Sequence, residues 1–550
     1  MATGLLVALV VLGGLAPHAA ADEPQDPAAP GAALVEVCAS SPIPALPQVG
    51  PGVCKTLDAG AILLALACGK LAADPPACGD LTDGRPIDPA AVTTFEHGWV
   101  HRALDLQRRL DFALPLRDAL IPHTHNSFNT ATEWPSLTTS DPNQRYSLTD
   151  QLRMGIRAIE LDVHYLPNPA GDPAHGLNAP VLCHAETEHV GDLSLHVGCS
   201  VDRLLRSGLD EVRAWLDAPG NEQEVLLVYI QNELDGDPAA HAATVAELER
   251  GFGDLVARPP SAVPGTCQDL PILRSRADLL AEGHRVLITG NCGPGAWSSW
   301  VYQRGDGWDE RGNSAGYPAF PACTADRAAR GYDQHLIRVT EDQTWLSAIS
   351  GAPAPITEAE VRSMVRCGVE LIGLDRIGPT DPRLAALVWS WAPDEPTTAG
   401  SCARWGTDAR FRSTDCAAVH RVACRGADRA WTIPPRAVRF ADAFALCASA
   451  AATFDVPRTG WDDEQLRAAA AGAGELWLNL ADTAAAGWQP ALTSAAQVRS
   501  ASAPSAPAAE PAPGPRLPAT GRSSSTPLAV AGSLLALAAI TRRAAAVRRS

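Results

Sequence analysis

The sequence predicts an α/β fold, a TIM-type (β/α) barrel, followed by a small disulfide-bonded domain. From Leu114 onward, short apolar strands alternate with amphipathic helical segments, which is the pattern that builds parallel sheets and barrels. After Asp375 the composition changes to closely spaced tryptophans and cysteines. At 550 residues the chain is too long for one ordinary core, so two or three domains with tails are expected.

The predicted barrel occupies residues 116–385, and its candidate strands are short apolar runs. They are Ala119–His123, Ala158–Val163, Pro180–His184, Glu224–Gln231, Arg285–Thr289, His335–Thr340 and Glu370–Asp375. Helical patterns lie between them at Leu148–Gly155, Val201–Leu216 and Ala239–Arg250. In such a barrel the catalytic groups belong at the carboxyl ends of strands. Polar residues fall at such ends in His123–Asn126, Glu160–Asp162, His184 and Gln231–Glu233.

The amino-terminal segment predicts export. Residues 1–21 contain an apolar stretch from Leu5 to Leu15 followed by small residues before Asp22, which is typical of a signal peptide. Residues 22–115 form a cysteine-containing region that offers no chemistry of its own. An exported chain meets an oxidising environment, so its 14 cysteines are expected to form disulfides. We expect Cys183 to pair locally with Cys199, beside His184.

The carboxyl-terminal segment predicts attachment to a cell wall. Residues 491–516 are rich in Ala, Pro and Ser and are expected to form an extended spacer. Residues 517–521 read Leu-Pro-Ala-Thr-Gly and precede an apolar run, Pro527–Ile540, and several arginines. Residues 517–550 resemble the sorting signal of Gram-positive surface proteins, in which sortase cuts between Thr520 and Gly521 and joins the chain to peptidoglycan. A plain membrane tail is the alternative, although the run is short for a membrane span.

Charge limits the partners that the chain can bind. The net charge is −18, and the main body has no sequence cluster of Lys and Arg that would indicate a nucleic-acid groove. Attraction to an anionic bilayer by bulk charge is therefore not expected, and a lipid substrate would have to be held by local contacts. No nucleic-acid partner is predicted.

The residues best suited to catalysis or to metal binding lie in the first half of the predicted barrel. His125 and His184 can exchange protons near neutral pH, which is what general acid-base catalysis requires. Glu160 and Asp162 are two residues apart on a strand, so both side chains point to one face and could bind a hard cation. An acidic pair that bonds to Arg153 or Arg157 is the plainer alternative.

An ordered set of four motifs favours the catalytic interpretation. They read Thr-His-Asn-Ser-Phe at 124–128, Gln-Leu-x-x-Gly-Ile-Arg-Ala-Ile-Glu-Leu-Asp at 151–162, Leu-Cys-His at 182–184, and Gln-Glu-Val-Leu-Leu-Val-Tyr-Ile-Gln-Asn at 223–232. Together they resemble the catalytic region of phosphatidylinositol-specific phospholipase C. The resemblance covers roughly the first half of the barrel and weakens toward Asp375.

The resemblance implies a role for each matching residue. His125 would be the general base that takes a proton from the inositol 2-hydroxyl, and His184 would be the general acid that protonates the diacylglycerol oxygen. Asn126, Glu160 and Asp162 match the ligands of the Ca²⁺-dependent members. Gln231 stands where the family has a further glutamate, and Glu233, two residues on, is its candidate substitute. His123, His164 and His189 are expected to have structural or orienting roles.

The region 386–490 resembles a permuted C-type-lectin-like domain, on the pattern Trp389, Trp391, Glu395-Pro396 and Trp405 followed by Phe440, Phe444 and Trp477. That resemblance implies the pairs Cys402–Cys416 and Cys424–Cys447, with a glycan or protein as a possible ligand. A generic disulfide-bonded accessory domain is the alternative for this region.

Together these observations predict a secreted, wall-anchored phosphodiesterase that cleaves phosphatidylinositol-type lipids to diacylglycerol and inositol cyclic phosphate with help from Ca²⁺. Two other functions stay open. The first is a glycerophosphodiesterase or sphingomyelinase-D-like enzyme on the same barrel, although those families typically begin with His-Arg-Gly. The second is a catalytically weak surface binding protein, which Gln231 would favour and the intact histidine pair would not.

Overall fold

The structure of the chain is a computed structural model. It describes residues 34–38, 54–58, 88–130, 142–167, 178–184, 186–190, 193–197, 203–260, 263–311, 317–324, 334–343, 355–483 and 487–491. The predicted signal peptide, residues 492–516 of the predicted spacer and the sorting motif with Thr520 and Gly521 lie outside these residues. No helix among the described residues is both long and apolar enough to cross a membrane.

The strands alternate with helices through most of the described chain. In chain order the strands are β1 (Leu34–Cys38), β2 (Cys54–Asp58), β3 (Ile121–Thr124), β4 (Ala158–Pro167), β5 (Asn178–Leu182), β6 (Glu186–Val190), β7 (Leu193–Val197), β8 (Leu226–Glu233), β9 (Val286–Gly290), β10 (Tyr302–Gln303), β11 (Trp308–Arg311), β12 (Leu336–Thr340), β13 (Leu371–Leu374), β14 (Cys402–Trp405), β15 (Phe411–Thr414), β16 (Arg421–Val422), β17 (Cys424–Arg425), β18 (Trp431–Thr432), β19 (Thr453–Phe454), β20 (Leu476–Thr483) and β21 (Gly487–Gln489). The helices are α1 (Pro89–Glu96), α2 (Trp99–Asp111), α3 (Leu148–Arg153), α4 (Leu205–Leu216), α5 (Pro238–Phe252), α6 (Arg276–Ala281), α7 (Glu358–Cys367), α8 (Pro382–Ala386), α9 (Ala443–Ser449) and α10 (Gly460–Ala469).

The largest sheet is a curled parallel sheet that confirms the predicted barrel class. Its strands follow the order β10-β9-β8-β4-β3-β13-β12-β11, and each strand in that path is parallel to its neighbours. β13 pairs with β3, so the end of the barrel sequence returns to its beginning. The strands β10 and β11 escaped the sequence analysis because two and four residues are too few to show a period.

One predicted barrel strand has a different role. The sequence predicts Pro180–His184 as a barrel strand, but β5 runs antiparallel to the extended end of β4, with Val163 opposite Leu182. The number of residues between these two strands is too small for the crossover that a parallel neighbour needs. β4 and β5 therefore pair as antiparallel strands. His184 therefore reaches the mouth of the barrel from a descending strand, and Cys183 N donates to Asp162 O (3.3 Å).

Helices α1 and α2 contribute to the main core although they precede the predicted barrel boundary at residue 116. Asp88 caps α1 by accepting from Ala90 N (2.9 Å), and Pro89 occupies its first turn. Val92, Phe95 and Leu104 then pack in the same hydrophobic cluster as the barrel strands. The barrel core thus begins before the residue that the sequence analysis chose.

The carboxyl-terminal domain is a small sheet structure held by two disulfides. One sheet has the order β15-β14-β20-β16, and a second has the order β18-β17-β19. The pairs Cys402–Cys416 and Cys424–Cys447 are present as predicted. Elsewhere in the described chain Cys267 pairs with Cys292 and Cys323 with Cys367. Cys183 is disulfide-bonded, and Cys199 lies outside the described residues. The lectin-like character of this domain stays a prediction.

The barrel and the carboxyl-terminal domain share a continuous core. Buried residues of both belong to one hydrophobic cluster, which includes Trp391 and Phe411. The Gln107 side chain on α2 donates to Leu387 O (3.0 Å) and accepts from Trp389 N (3.2 Å). On the other side Arg366 of α7 pairs with Glu464 of α10 (2.6 Å). The second domain therefore packs against the barrel as part of one folded body.

Candidate active site

The loop after β3 carries the first motif and is fixed by side-chain hydrogen bonds. Ser127 Oγ donates to Thr124 O (2.7 Å) and accepts from Glu160 N (2.9 Å), which attaches the loop to β4. Asn126 has a φ of 42°, a left-handed conformation that asparagine tolerates better than most residues. Backbone strain of this kind occurs frequently at functional sites. The serine of the motif is thus structural, and the strained turn directs His125 and Asn126 toward the barrel mouth.

Glu160 and Asp162 lie on the same face of β4, as their spacing predicted. Both residues are only 1% exposed. Burial, together with Glu160 two residues away, raises the pKa of Asp162 well above its ordinary value. When two buried carboxylates lie side by side on one strand, ionisation of one makes ionisation of the other less favourable.

A buried arginine from the far side of the barrel contacts Glu160. Arg338, in the middle of β12, pairs with Glu160 and with Glu310 (3.1 Å). Its Nε also donates to Nε2 of His123 (3.1 Å), while Nδ1 of His123 lies 3.1 Å from Ala158 O. Burial and the Arg338 guanidinium lower the pKa of His123 well below its ordinary value. His123 is therefore a neutral, structural histidine beneath the site.

His125 has a carboxylate partner that the sequence analysis did not identify. Its Nδ1 lies 3.3 Å from Oδ2 of Asp375, the residue that follows β13. Burial alone would lower the pKa of His125, but the carboxylates of Asp375 and Glu160 raise it to about 10. The arrangement orients the imidazole ring and stabilises its protonated form.

Asp375 is itself held by several donors. Its side chain accepts from Gln343 N (2.6 Å), from Asn143 Nδ2 (3.1 Å) and from Gln144 Nε2 (3.0 Å). Gln144 Nε2 also donates to His125 O (2.7 Å). Because both oxygens accept hydrogen bonds, the carboxylate cannot rotate away from the histidine without losing several contacts.

The backbone of Asp375 is clamped as firmly as its side chain. Asp375 N donates to Oε1 of Glu341 (2.6 Å), and Arg383 Nη2 donates to Asp375 O (2.7 Å). Arg383 and Glu341 also form an ion pair (2.6 Å). We refer to Glu341 and Arg383 as the Asp375 clamp. Arg383 lies on α8, the helix that leads into the carboxyl-terminal domain.

His184 and Asp162 meet on the two sides of the Asn126 amide. With its nitrogen toward β4, the amide donates to Asp162 Oδ2 (3.0 Å) and accepts from His184 Nε2 (3.1 Å). The opposite amide orientation would place the Asn126 oxygen beside the Asp162 carboxylate, which is an arrangement of hard oxygen ligands. The structure thus brings His125, Asn126, Glu160, Asp162 and His184 to one mouth.

The remaining predicted ligands lie on the adjacent strand. Gln231 is in register with Asp162 and Glu233 with His164, and Gln231 Nε2 donates to Glu233 Oε1 (3.2 Å). Within the described ranges, the group of three histidine or acidic side chains whose ligand atoms lie within 4.8 Å of one another is His125, Asp342 and Asp375. The predicted carboxylates of β4 and β8 are not gathered as closely as that.

Sequence comparisons relate the chain to mycobacterial proteins. A family model described as the Rv2075c PI-PLC-like domain matches residues 84–381. Uncharacterized protein MT2135 from Mycobacterium tuberculosis strain CDC 1551 is 36% identical over 490 residues, which cover 86% of this chain and 97% of the relative. Uncharacterized protein Rv2075c from strain H37Rv of the same species has the same identity and coverage.

Structure comparisons find phospholipases among the similar folds. The phosphatidylinositol-specific phospholipase C of Listeria monocytogenes is 15% identical, with a TM-score of 0.31, and covers 50% of this chain and 94% of its own. A Staphylococcus aureus phosphatidylinositol-specific phospholipase C structure is 11% identical, with a TM-score of 0.34, and covers 54% of this chain and 98% of its own.

Proposed function

Because this chain belongs to the family of the Rv2075c PI-PLC-like domain, we propose that it is a phosphodiesterase that cleaves phosphatidylinositol-type lipids to diacylglycerol and inositol cyclic phosphate. The observation that supports this most is the joint placement of His125 and His184 around Asn126 and Asp162. Two histidines at one polar mouth can take and give a proton on the two sides of a phosphodiester.

In this proposal His125 acts first. Its neutral ring accepts the proton of the inositol 2-hydroxyl, and the resulting oxygen attacks phosphorus to close the cyclic phosphate. Asp375 and Glu160, which raise the pKa of His125 to about 10, stabilise the imidazolium that this step forms. The same carboxylates hold the resting ring in its protonated form, so positive charge near Glu160 would help to produce the neutral base.

His184 acts on the leaving group. Its ring donates a proton to the glycerol oxygen as the phosphorus–oxygen bond breaks, and the Asn126 amide at Nε2 fixes the ring position. General acid and general base each contribute about 10²- to 10⁴-fold to such reactions. The second product, diacylglycerol, would then remain in its lipid layer.

Calcium assistance belongs to the same proposal, and the side chains fit a cation in part. Asn126 and Asp162 would supply two ligands, Glu160 a third, and Gln231 or Glu233 a fourth. The raised pKa of Asp162 is caused by burial and by the Glu160 charge, which is the imbalance that a bound cation relieves. Against this fit, Glu160 is already paired with Arg338. A bound Ca²⁺ would offset negative charge that develops on the phosphoryl oxygens.

The proposal extends to where the protein acts. The sequence signals support secretion and covalent attachment to the cell wall of a Gram-positive bacterium through sortase cleavage between Thr520 and Gly521. A phospholipid surface would be the substrate, peptidoglycan the anchor, and a glycan or protein a ligand of the lectin-like domain.

The test is ³¹P NMR of phosphatidylinositol vesicles mixed with the purified protein, in Ca²⁺ and again in chelator. A signal of inositol cyclic phosphate that needs Ca²⁺ would support both the reaction and the cation. The same signal in chelator would support the reaction and remove the cation. No turnover in either sample, with phosphatidylinositol as substrate, would overturn the proposed reaction. Calorimetric titration with Ca²⁺ separately measures whether the site binds the ion.

A further inference from the structure

Two short segments of the carboxyl-terminal domain form a two-stranded ribbon. His420 N donates to Val438 O (3.1 Å), and Val438 N donates to His420 O (2.9 Å), which is an antiparallel pair. We call residues 419–421 and 436–439 the basic ribbon. Val438 is 8% exposed, and the His420 ring lies 4.7 Å from the Trp477 ring, so this pair faces the domain core. Alternation along the strands then turns the flanking residues outward.

The outward face of the basic ribbon mixes positive charge with apolar surface. Continuing the antiparallel register from the His420–Val438 bridge sets Arg421 opposite Ala437 and Val419 opposite Arg439, and diagonal neighbours on such a face are close enough for long side chains to act together. Val419 is 57% exposed, whereas most large apolar side chains among the described residues are buried or half-buried. Arg439 and the nearby Arg436 are also exposed, and Arg421 is half-buried.

These arginines differ from the others in the same domain. Arg404 pairs with Glu475, Arg412 with Asp408 and Arg425 with Asp462. By contrast, within the described part of the chain the side chains of the following arginines have no hydrogen bond or ion pair: Arg421, Arg429, Arg436 and Arg439. The nearby acids Asp415, Asp428 and Asp442 are exposed and do not pair with them. On this part of its surface, a chain with a net charge of −18 therefore carries four guanidinium groups that are not neutralised by direct contact with a carboxylate.

The ribbon is also held in place before any partner arrives. The Cys402–Cys416 disulfide precedes its first strand, and the Cys424–Cys447 disulfide follows it. Phe440 N donates to Cys416 O (3.3 Å) just beyond the second strand. A surface fixed in this way loses little conformational freedom on binding, which favours association.

We propose that the basic ribbon binds an anionic lipid surface. Unpaired guanidinium groups complement phosphate and carboxylate headgroups, and they act over the short range where the overall negative charge of the chain is screened. The exposed Val419 distinguishes a lipid from a soluble anionic polymer, because an apolar side chain between basic ones gains by entering the boundary of the acyl chains. This inference is independent of the proposed reaction.

Vesicle co-sedimentation tests it with three proteins. Wild type is compared with Arg421→Gln/Arg436→Gln/Arg439→Gln, and with the control Arg109→Gln/Arg213→Gln/Arg362→Gln. The control removes the same charge from paired, solvent-exposed arginines of the barrel, whose side chains are 55%, 39% and 44% exposed. Vesicles contain phosphatidylglycerol in phosphatidylcholine, or phosphatidylcholine alone, and no inositol lipid.

We expect wild type and control to sediment with the anionic vesicles and not with the neutral ones. Each ribbon arginine removed should weaken binding by about fivefold, and added salt should weaken the wild type as well. Val419→Ser should weaken vesicle binding without any change in charge.

Several results would overturn the inference. Equal binding by the ribbon variant and the control would remove the ribbon from the interaction, as would equal binding of wild type to neutral and anionic vesicles. Competition by soluble polyphosphate, with no effect of Val419→Ser, would indicate an anionic polymer as the partner instead of a lipid. These vesicles contain no inositol lipid, so a lack of vesicle binding does not count against the proposed phosphodiesterase reaction. If the protein cleaves phosphatidylinositol but does not bind these anionic vesicles, only the proposal for the basic ribbon is refuted.

Discussion

The first half of the barrel and the later part of the chain contribute to the candidate site in different ways. β3, β4 and the β5 hairpin supply the groups that would meet the substrate, among them His125, Asp162 and His184. From β12 onward the chain supplies groups that hold those residues, such as Arg338 beneath Glu160 and Asp375 beside His125. The groups that would react thus lie in short sequence motifs, whereas residues that hold them in position are far away in the sequence.

The largest effect should come from the first half. His125→Ala and His184→Ala each remove a proton-transfer group, so each should lower kcat by about 10²- to 10⁴-fold with a smaller change in KM. Steady-state release of inositol phosphate measures this, with circular dichroism to show that each variant is folded. Activity within a few-fold of wild type for either variant would contradict the assignment of that histidine.

A smaller but still large effect should come from the support of His125. Asp375→Asn keeps the side-chain shape and removes the charge that favours the imidazolium, so kcat should fall by about 10²-fold. The same assay measures the change. If kcat falls equally in His125→Ala and in the double variant His125→Ala/Asp375→Asn, Asp375 acts through His125. Additive losses of kcat in the double variant would contradict this.

The Asp375 clamp should have a moderate effect. Arg383→Gln removes the donor to Asp375 O and the ion pair with Glu341, so we expect kcat to fall about tenfold through a small displacement of the carboxylate. The matched control is Arg362→Gln, whose ion pair on α7 is exposed. In the Asp375→Asn background the loss from Arg383→Gln should largely vanish. A loss that persists there would indicate a general structural role instead.

The smallest expected effect concerns stability alone. Asp463 is buried, which raises its pKa to about 8, and it accepts from Trp405 Nε1 (2.8 Å). Because the folded-state pKa exceeds the unfolded one, its contribution to stability is full below pH 4 and is lost as the pH rises through about 8. Asp463→Asn should therefore raise Tm at pH 9 relative to wild type and leave kcat unchanged. A scanning calorimetry series between pH 5 and 9 decides this, and identical Tm profiles would refute it.

The sequence predicted the first half of the site better than the second for a physical reason. Glu160 and Asp162 could be placed on one face because strand alternation is a local rule. Asp375 ends a predicted strand, yet its partner His125 is 250 residues away, and no local period connects them. A charged residue within the apolar run of β12 was the available signal for Arg338, since buried charges require partners.

The fold shows the same division between local and distant information. The parallel strands followed from short apolar runs, whereas β5 was misplaced because its apolar pattern does not reveal which neighbour it pairs with. The disulfides of the carboxyl-terminal domain followed from a family resemblance. The unpaired arginines of the basic ribbon are dispersed between Arg421 and Arg439, so their clustering appears only once the two segments pair.

The buried connection after α8 limits how this protein can be divided. Residues 386–392 are all buried, and Gln107 binds three groups within them: Leu387 O, Trp389 N and Ser390 Oγ. Proteases cut where a chain is exposed and can unfold locally. Residues 386–392 are buried, and their hydrogen bonds to Gln107 oppose local unfolding. Limited digestion should therefore spare the junction, and a gene truncated at this point would expose tryptophans that normally lie inside the protein. The functional unit for expression is thus the barrel together with its companion domain.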